Sequence, residues 1–193
     1  MRTLKFFITL FFLNFLTFTL AQKTEDLSKY RFLSSQVQYT KDDSKVTGLL
    51  LFLTYKDNVS GVINFSDVYL LGKNNENYKL TCDSTSFSGV YNIEVSKDSK
   101  YLAIYKVGEG HPWIEIYDLQ KLIDQQMQVL LFDINPYPGN IELLGWEGDK
   151  LLVRSDIDLL LKNENKDLIN AETSKKWKKY SFKMTDGKFT EIK

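Results

Sequence analysis

Asn92-Ile93-Glu94-Val95-Ser96-Lys97-Asp98-Ser99-Lys100-Tyr101-Leu102-Ala103-Ile104-Tyr105 is the stretch whose reading decides the fold. Tyr91 to Val95 alternates apolar and polar side chains, the pattern of a strand with one face on a core. Lys97 to Lys100 is a polar turn. Tyr101 to Tyr105 is a nearly continuous apolar run, as expected of a central strand covered on both faces. The pattern then repeats. "NIELLGWEGDKLLVR" (Asn140 to Arg154) has the same strand, turn and apolar strand, and starts 48 residues further on. Upstream, "VQYTKDDSKVTGLLLF" (Val37 to Phe52) supplies a third copy.

Each copy is followed by another strand pair. After the first comes "DVYLLGKNNENYKLT" (Asp67 to Thr81). After the second come "WIEIYDL" (Trp113 to Leu119) and "VLLFDI" (Val129 to Ile134). After the third comes "KKYSFKMTDGKFTEI" (Lys178 to Ile192), where Asp186-Gly187 is a strong hairpin signal because both residues tolerate positive φ. Helical pattern is confined to Leu119 to Gln126 and Leu168 to Lys176. A four-strand unit recurring every 40–50 residues is the mark of propeller blades. The expected fold is therefore all-β, with antiparallel four-stranded propeller-like blades at about 36–82, 89–134 and 140–192. A β-sandwich and an up-and-down β-barrel are the alternatives.

The blade motifs resemble those of TolB-like and WD-repeat β-propellers. Val95 to Tyr105 is similar to their "SPDGKYLA" hairpin, and Trp113 to Leu119 to the strand that follows it. Asp67 to Thr81 is similar to the pair that closes a TolB-like blade. The resemblance covers most of residues 37–192. It departs from the pattern at the Pro before the Asp, which is missing in every copy, with Lys97 or Glu147 near that place. No Gly-His opens a blade and no Trp-Asp ends one. The resemblance implies a fold and a habit of binding, not a catalytic activity.

The N-terminus gives an address. Arg2 and Lys5 precede an apolar stretch from Phe6 to Leu20, and Thr19-Leu20-Ala21 offers a small-residue cleavage site before Gln22. That is the layout of a secretory signal peptide over residues 1–21. The stretch falls short of the roughly 20 apolar residues of a membrane span. The expectation is a mature all-β domain over 22–193, with no membrane span, outside the cytoplasm (periplasmic or secreted). No cysteine lies near the cut to carry a lipid.

The mature 172 residues suffice for one core. They carry 23 basic and 25 acidic side chains, which argues against a nucleic-acid partner. The run Lys175-Lys176-Trp177-Lys178-Lys179 reads as a solvated strand entry. Cys82 is the sole cysteine, so no intrachain disulfide forms, and it reads as a buried thiol. Asn58-Val59-Ser60 and Asn64-Phe65-Ser66 match the glycosylation acceptor pattern.

Candidate chemistry is sparse. His111, the sole histidine, sits in Gly108-Glu109-Gly110-His111-Pro112-Trp113. There Glu109, His111 and Trp113 are candidate ligand-binding residues, with Trp113 as a stacking platform. Tyr137, in Asn135-Pro136-Tyr137-Pro138-Gly139, is the fourth. No Gly-x-Ser-x-Gly elbow supplies a nucleophile for His111. One histidine and one cysteine do not build a zinc site without carboxylates. Asp156-Ile157-Asp158, read as a strand, would put two carboxylates on one face for calcium, and Glu109 with Glu115 would make a glycosidase-like pair. Both patterns are unspecific. No catalytic residue, metal or cofactor is assigned. The functional expectation is a propeller-like binding protein. An extracytoplasmic hydrolase with a site near His111 is one alternative. A lipocalin-like carrier is the other, although its Gly-x-Trp signature is missing. Three blades do not close a ring, so the end blades should expose apolar residues such as Leu49, Leu51, Phe182 and Phe189. A homodimer, for instance a six-blade ring of two copies, or a larger protein partner is expected to cover them.

Overall fold

The computed structural model describes residues 30–56, 63–72, 77–80, 89–161 and 176–193. The signal-peptide segment, Cys82, Asn58 and the helical pattern over 168–175 lie outside the described residues.

Among the described residues, twelve strands form three four-stranded sheets in simple sequential order. The first sheet holds β1 (Tyr30–Lys41), β2 (Ser44–Lys56), β3 (Ile63–Leu71) and β4 (Asn77–Leu80). The second holds β5 (Val90–Val95), β6 (Tyr101–Gly108), β7 (His111–Asp118) and β8 (Leu130–Ile134). The third holds β9 (Ile141–Glu147), β10 (Lys150–Ser155), β11 (Lys178–Lys183) and β12 (Lys188–Ile192). Every neighbouring pair is antiparallel. These are the blades expected from the repeat. Three separate meanders replace both the closed barrel and the two-sheet sandwich, and the carrier reading loses its fold with them.

The sheets stack face to face with the second in the middle. One core cluster joins Val37, Leu50, Phe52, Val68 and Leu70 of blade 1 to Ile93, Leu102, Ile104 and Tyr117 of blade 2. The other joins Ala103, Ile114 and Ile116 of blade 2 to Leu151, Val153, Tyr180 and Phe182 of blade 3. Blade 2 is thus covered on both sides, which is why β6 reads as an unbroken apolar run. Strand alternation sends Leu102 and Ile104 to one neighbour and Ala103 to the other. Side chains also cross between blades. Phe132 meets Phe182 edge-on at 5.0 Å, and the Trp146 indole N–H donates to the Glu94 carbonyl at 3.1 Å. β1 is an edge strand, and its free amides find side-chain partners on blade 2: Gln38 donates to Ser99 Oγ at 3.0 Å and Thr40 to Gln120 Oε1 at 2.8 Å.

The motif hairpin shows what its residues do. Ser96 Oγ donates to Asp98 Oδ1 and accepts the amides of Lys100 and Tyr101, so one buried hydroxyl ties the turn to β6. Ser99 takes a left-handed φ of 55°, the conformation that favours glycine. Burial pushes the Asp98 carboxyl up, but hydrogen bonds from Ser96 and Lys100 outweigh it and hold the group below its ordinary value. Helix α1 (Leu119–Ile123) starts where the Asp118 carboxylate accepts the Lys121 amide, and it buries Leu119 and Leu122 under blade 1. It is shorter than the Leu119 to Gln126 pattern.

One expectation needs correcting. Phe182 is 2% exposed and Phe189 packs against the same core, so neither lies on an open face. Leu151 and Val153 alternate inward, and Leu152 stands between them on the other face. A bulge opposite Leu152 and Val153 lets Leu144 bow out, 44% exposed.

Asp156 and Asp158 lie beyond the end of β10, not on a strand. Asp156 accepts the backbone and side-chain N–H groups of Asn140 at 2.6 and 2.7 Å. Asp158 accepts the Leu160 amide at 3.0 Å and faces Lys178 at 3.6 Å. The two carboxylates therefore serve two local structures. Among the described residues no cluster of three or more His, Cys, Asp or Glu is poised for a metal.

Candidate functional site

A meander alternates ends. The β6–β7 hairpin and the β8–β9 connection must therefore share one end of the stack, and this brings three of the four candidate residues to one rim. Glu109 and Gly110 form the two-residue turn of the hairpin, with φ of 51° and 84°. Positive φ at both places is the primed hairpin geometry, and Glu109 pays for it with exposure at the tip. His111 opens β7 and meets Tyr137 edge-to-face, with ring centroids 4.7 Å apart.

The loop that carries Tyr137 is pinned at several points. Asn135 Oδ1 accepts the Tyr137 amide at 3.1 Å, and the Gly139 amide donates to the Pro136 carbonyl at 2.8 Å. The Tyr137-Pro138 bond is cis. Gly139 lies so close to Ile157 that an added Cβ would sit 2.3 Å from it, so only glycine fits there. The Asp156–Asn140 bonds anchor the far side. Pro136 is buried while Tyr137 is 58% exposed. A fixed loop thus presents an open aromatic ring backed by an imidazole.

Trp113 has a different setting. Trp113, Glu115 and Tyr117 alternate along one face of β7, opposite Lys106, Ile104 and Leu102 on β6. Lys106 Nζ contacts both Glu115 oxygens at 3.0 Å, and the Trp113 indole N–H donates to Oε1 at 3.0 Å. The Tyr117 hydroxyl donates to Oε2. Lys106 also sits 5.3 Å from the centre of the Trp113 ring, a cation–π contact. The two charged side chains are 3% and 13% exposed. Glu115 is therefore saturated with donors inside the stack, while Glu109 stands in solvent. The two carboxylates do not share one environment.

Sequence reasoning passed over this buried cluster. Its signal was present: a lysine in the middle of an apolar strand, and Trp-x-Glu-x-Tyr at strand spacing on the next.

No protein-family model matches the chain, and no curated protein matches it. Among solved structures it is similar to TolB from Acinetobacter baumannii, with 14% identity and a TM-score of 0.44 over 84% of this chain and 32% of that one. It is also similar to the β-propeller domain of the Trilobed protease from Pyrococcus furiosus, with 13% identity and a TM-score of 0.41 over 84% of this chain and 57% of that one. The chain thus spans about a third of the first and just over half of the second. The blade assignment rests on this chain's own strand order and packing: an all-β array of three propeller-like blades.

Proposed function

We propose that this chain is an extracytoplasmic binding module that engages a protein partner through the Tyr137–His111 rim. The observation that carries the reading is the exposed Tyr137 ring, fixed by a pinned loop and backed by His111 at 4.7 Å. A tyrosine already held in place offers a large amphipathic contact with little rotamer entropy left to lose on binding. Loops on a rigid scaffold are the usual site of such contacts. The charged start and small-residue cut at residues 1–21 support placement outside the cytoplasm.

The test is a comparison of the wild-type chain with a His111→Ala/Tyr137→Ala variant, each used as bait against the extracytoplasmic fraction of the native host. A partner held by the wild type should bind the variant at least about tenfold more weakly, as loss of an aromatic anchor implies. The melting curves of the two chains should coincide, because both side chains lie at the rim. Equal affinity of both chains for the same partner would defeat the rim reading.

A further inference from the structure

The two outer faces of the stack differ in chemistry. Blade 1 turns Val37, Leu50, Phe52 and Val68 inward, so alternation turns Leu49, Leu51 and Leu53 of β2 outward. Register sets Leu71 beside Leu49 and Tyr69 beside Leu51. These five make an apolar centre. Ser34 and Gln36 border it on β1, and the Asp67–Lys79 ion pair at 2.7 Å borders it on the other side. Among the described residues, the core of blade 1 is on its other face. Blade 3 ends differently. Lys150, Lys183 and Lys188 form one row across β10, β11 and β12, all exposed. Lys179 and Arg154 form part of the next row but one, with Arg154 paired to Glu142 at 2.6 Å.

We infer that the outer face of blade 1 is a two-fold interface with a second copy of this chain, and that the lysine-rich outer face of blade 3 takes no part in that contact. A six-blade ring of two copies would press blade 3 of each onto blade 1 of the other. That would bury the lysine row, which has a single carboxylate in register with it (Glu147 opposite Lys150), against leucines, a large desolvation cost. Packing blade 1 on blade 1 puts leucine against leucine and leaves the ion pair and the polar β1 residues at the rim, the usual anatomy of an interface. The size also fits. Strands of 12 and 13 residues give β1–β3 a face of about 40 by 14 Å, or ~600 Å² before side-chain relief. A standard interface takes about 800 Å² per partner. In an isologous contact each residue near the axis meets its own copy. The inference concerns a different surface from the Tyr137 rim and does not depend on it.

Sedimentation of the purified mature chain, residues 22–193, over a wide concentration range tests it. The wild type should dimerise. Leu51→Lys should weaken the dimer at least about tenfold, as a charge at an interface centre does. Lys183→Glu should leave it intact. Two results would overturn the inference: a wild type that stays monomeric throughout, as it would if another segment of the chain covered the face, or a dimer lost with Lys183→Glu and kept with Leu51→Lys. Should Leu51→Lys fail to fold, Leu51→Cys in a Cys82→Ser background reads the same contact. Under mild oxidation it should give a covalent dimer far faster than Lys183→Cys in that background, and equal rates at the two positions would refute the two-fold contact.

Discussion

Replacing Glu115 by alanine should destabilise the protein by about 3–5 kcal/mol, the range for removing one partner of a buried ion pair. Lys106 would remain as a charge 2% exposed without the carboxylate that neutralises it, and the Trp113 and Tyr117 donors would lose this acceptor. The loss would come from taking the neutralising carboxylate away from a buried cation, not from the worth of the original attraction. A Lys106→Met/Glu115→Leu double variant should therefore lose less than Glu115→Ala alone, because it removes both charges together. Urea denaturation with an unchanged m-value is the measurement, since the slope shows that the same surface unfolds. A Glu115→Ala chain as stable as the wild type would mean that Lys106 reaches solvent and that the cluster is not enclosed between blades.

Leu102→Ala should cost about 2–5 kcal/mol, the range for truncating a large aliphatic side chain in a tight core. Leu102 is fully buried on a strand covered on both faces, between sheets that have little room to collapse into the gap. Leu144→Ala is the matched control. Leu144 is the residue that bows out at the β9 bulge, so its truncation should fall within about 0.5 kcal/mol. Thermal and urea melts of both variants separate the cases. Similar losses at the two positions would mean that the buried face of β6 is misassigned.

Local pattern made the blades readable. The turn residues around Asp98 and Gly187 announce hairpins, and the apolar run of β6 announces a strand with two covered faces. Face assignment failed where a bulge or a short alternation hid the phase. In Leu151-Leu152-Val153 three apolar residues in a row leave the inward pair undecided until β9 and β11 are paired with them. The sequence does not tell the inward from the outward face at Phe182 and Phe189, because no sequence rule says which side of blade 3 meets its neighbour. Phe132, from another blade, settles it. The rim was legible only in part. Glycines and prolines marked the two loops, but the contact of His111 with Tyr137 depends on the meander bringing the β6–β7 turn and the β8–β9 connection to one end. The diversion of Trp113 to Glu115 depends on a lysine across the strand, seven positions away in sequence.

The central claim is that blade 2 is a sheet with a neighbour on each face. Methyl-selective NOE spectroscopy measures this directly. Contacts are expected from Leu102 and Ile104 only to blade 1 residues such as Leu50 and Val68 across that interface, and from Ile114 and Ile116 to Leu151 and Val153 of blade 3. Inter-sheet contacts confined to one face of β6 and β7, with the methyl groups of the other face open to solvent, would contradict it.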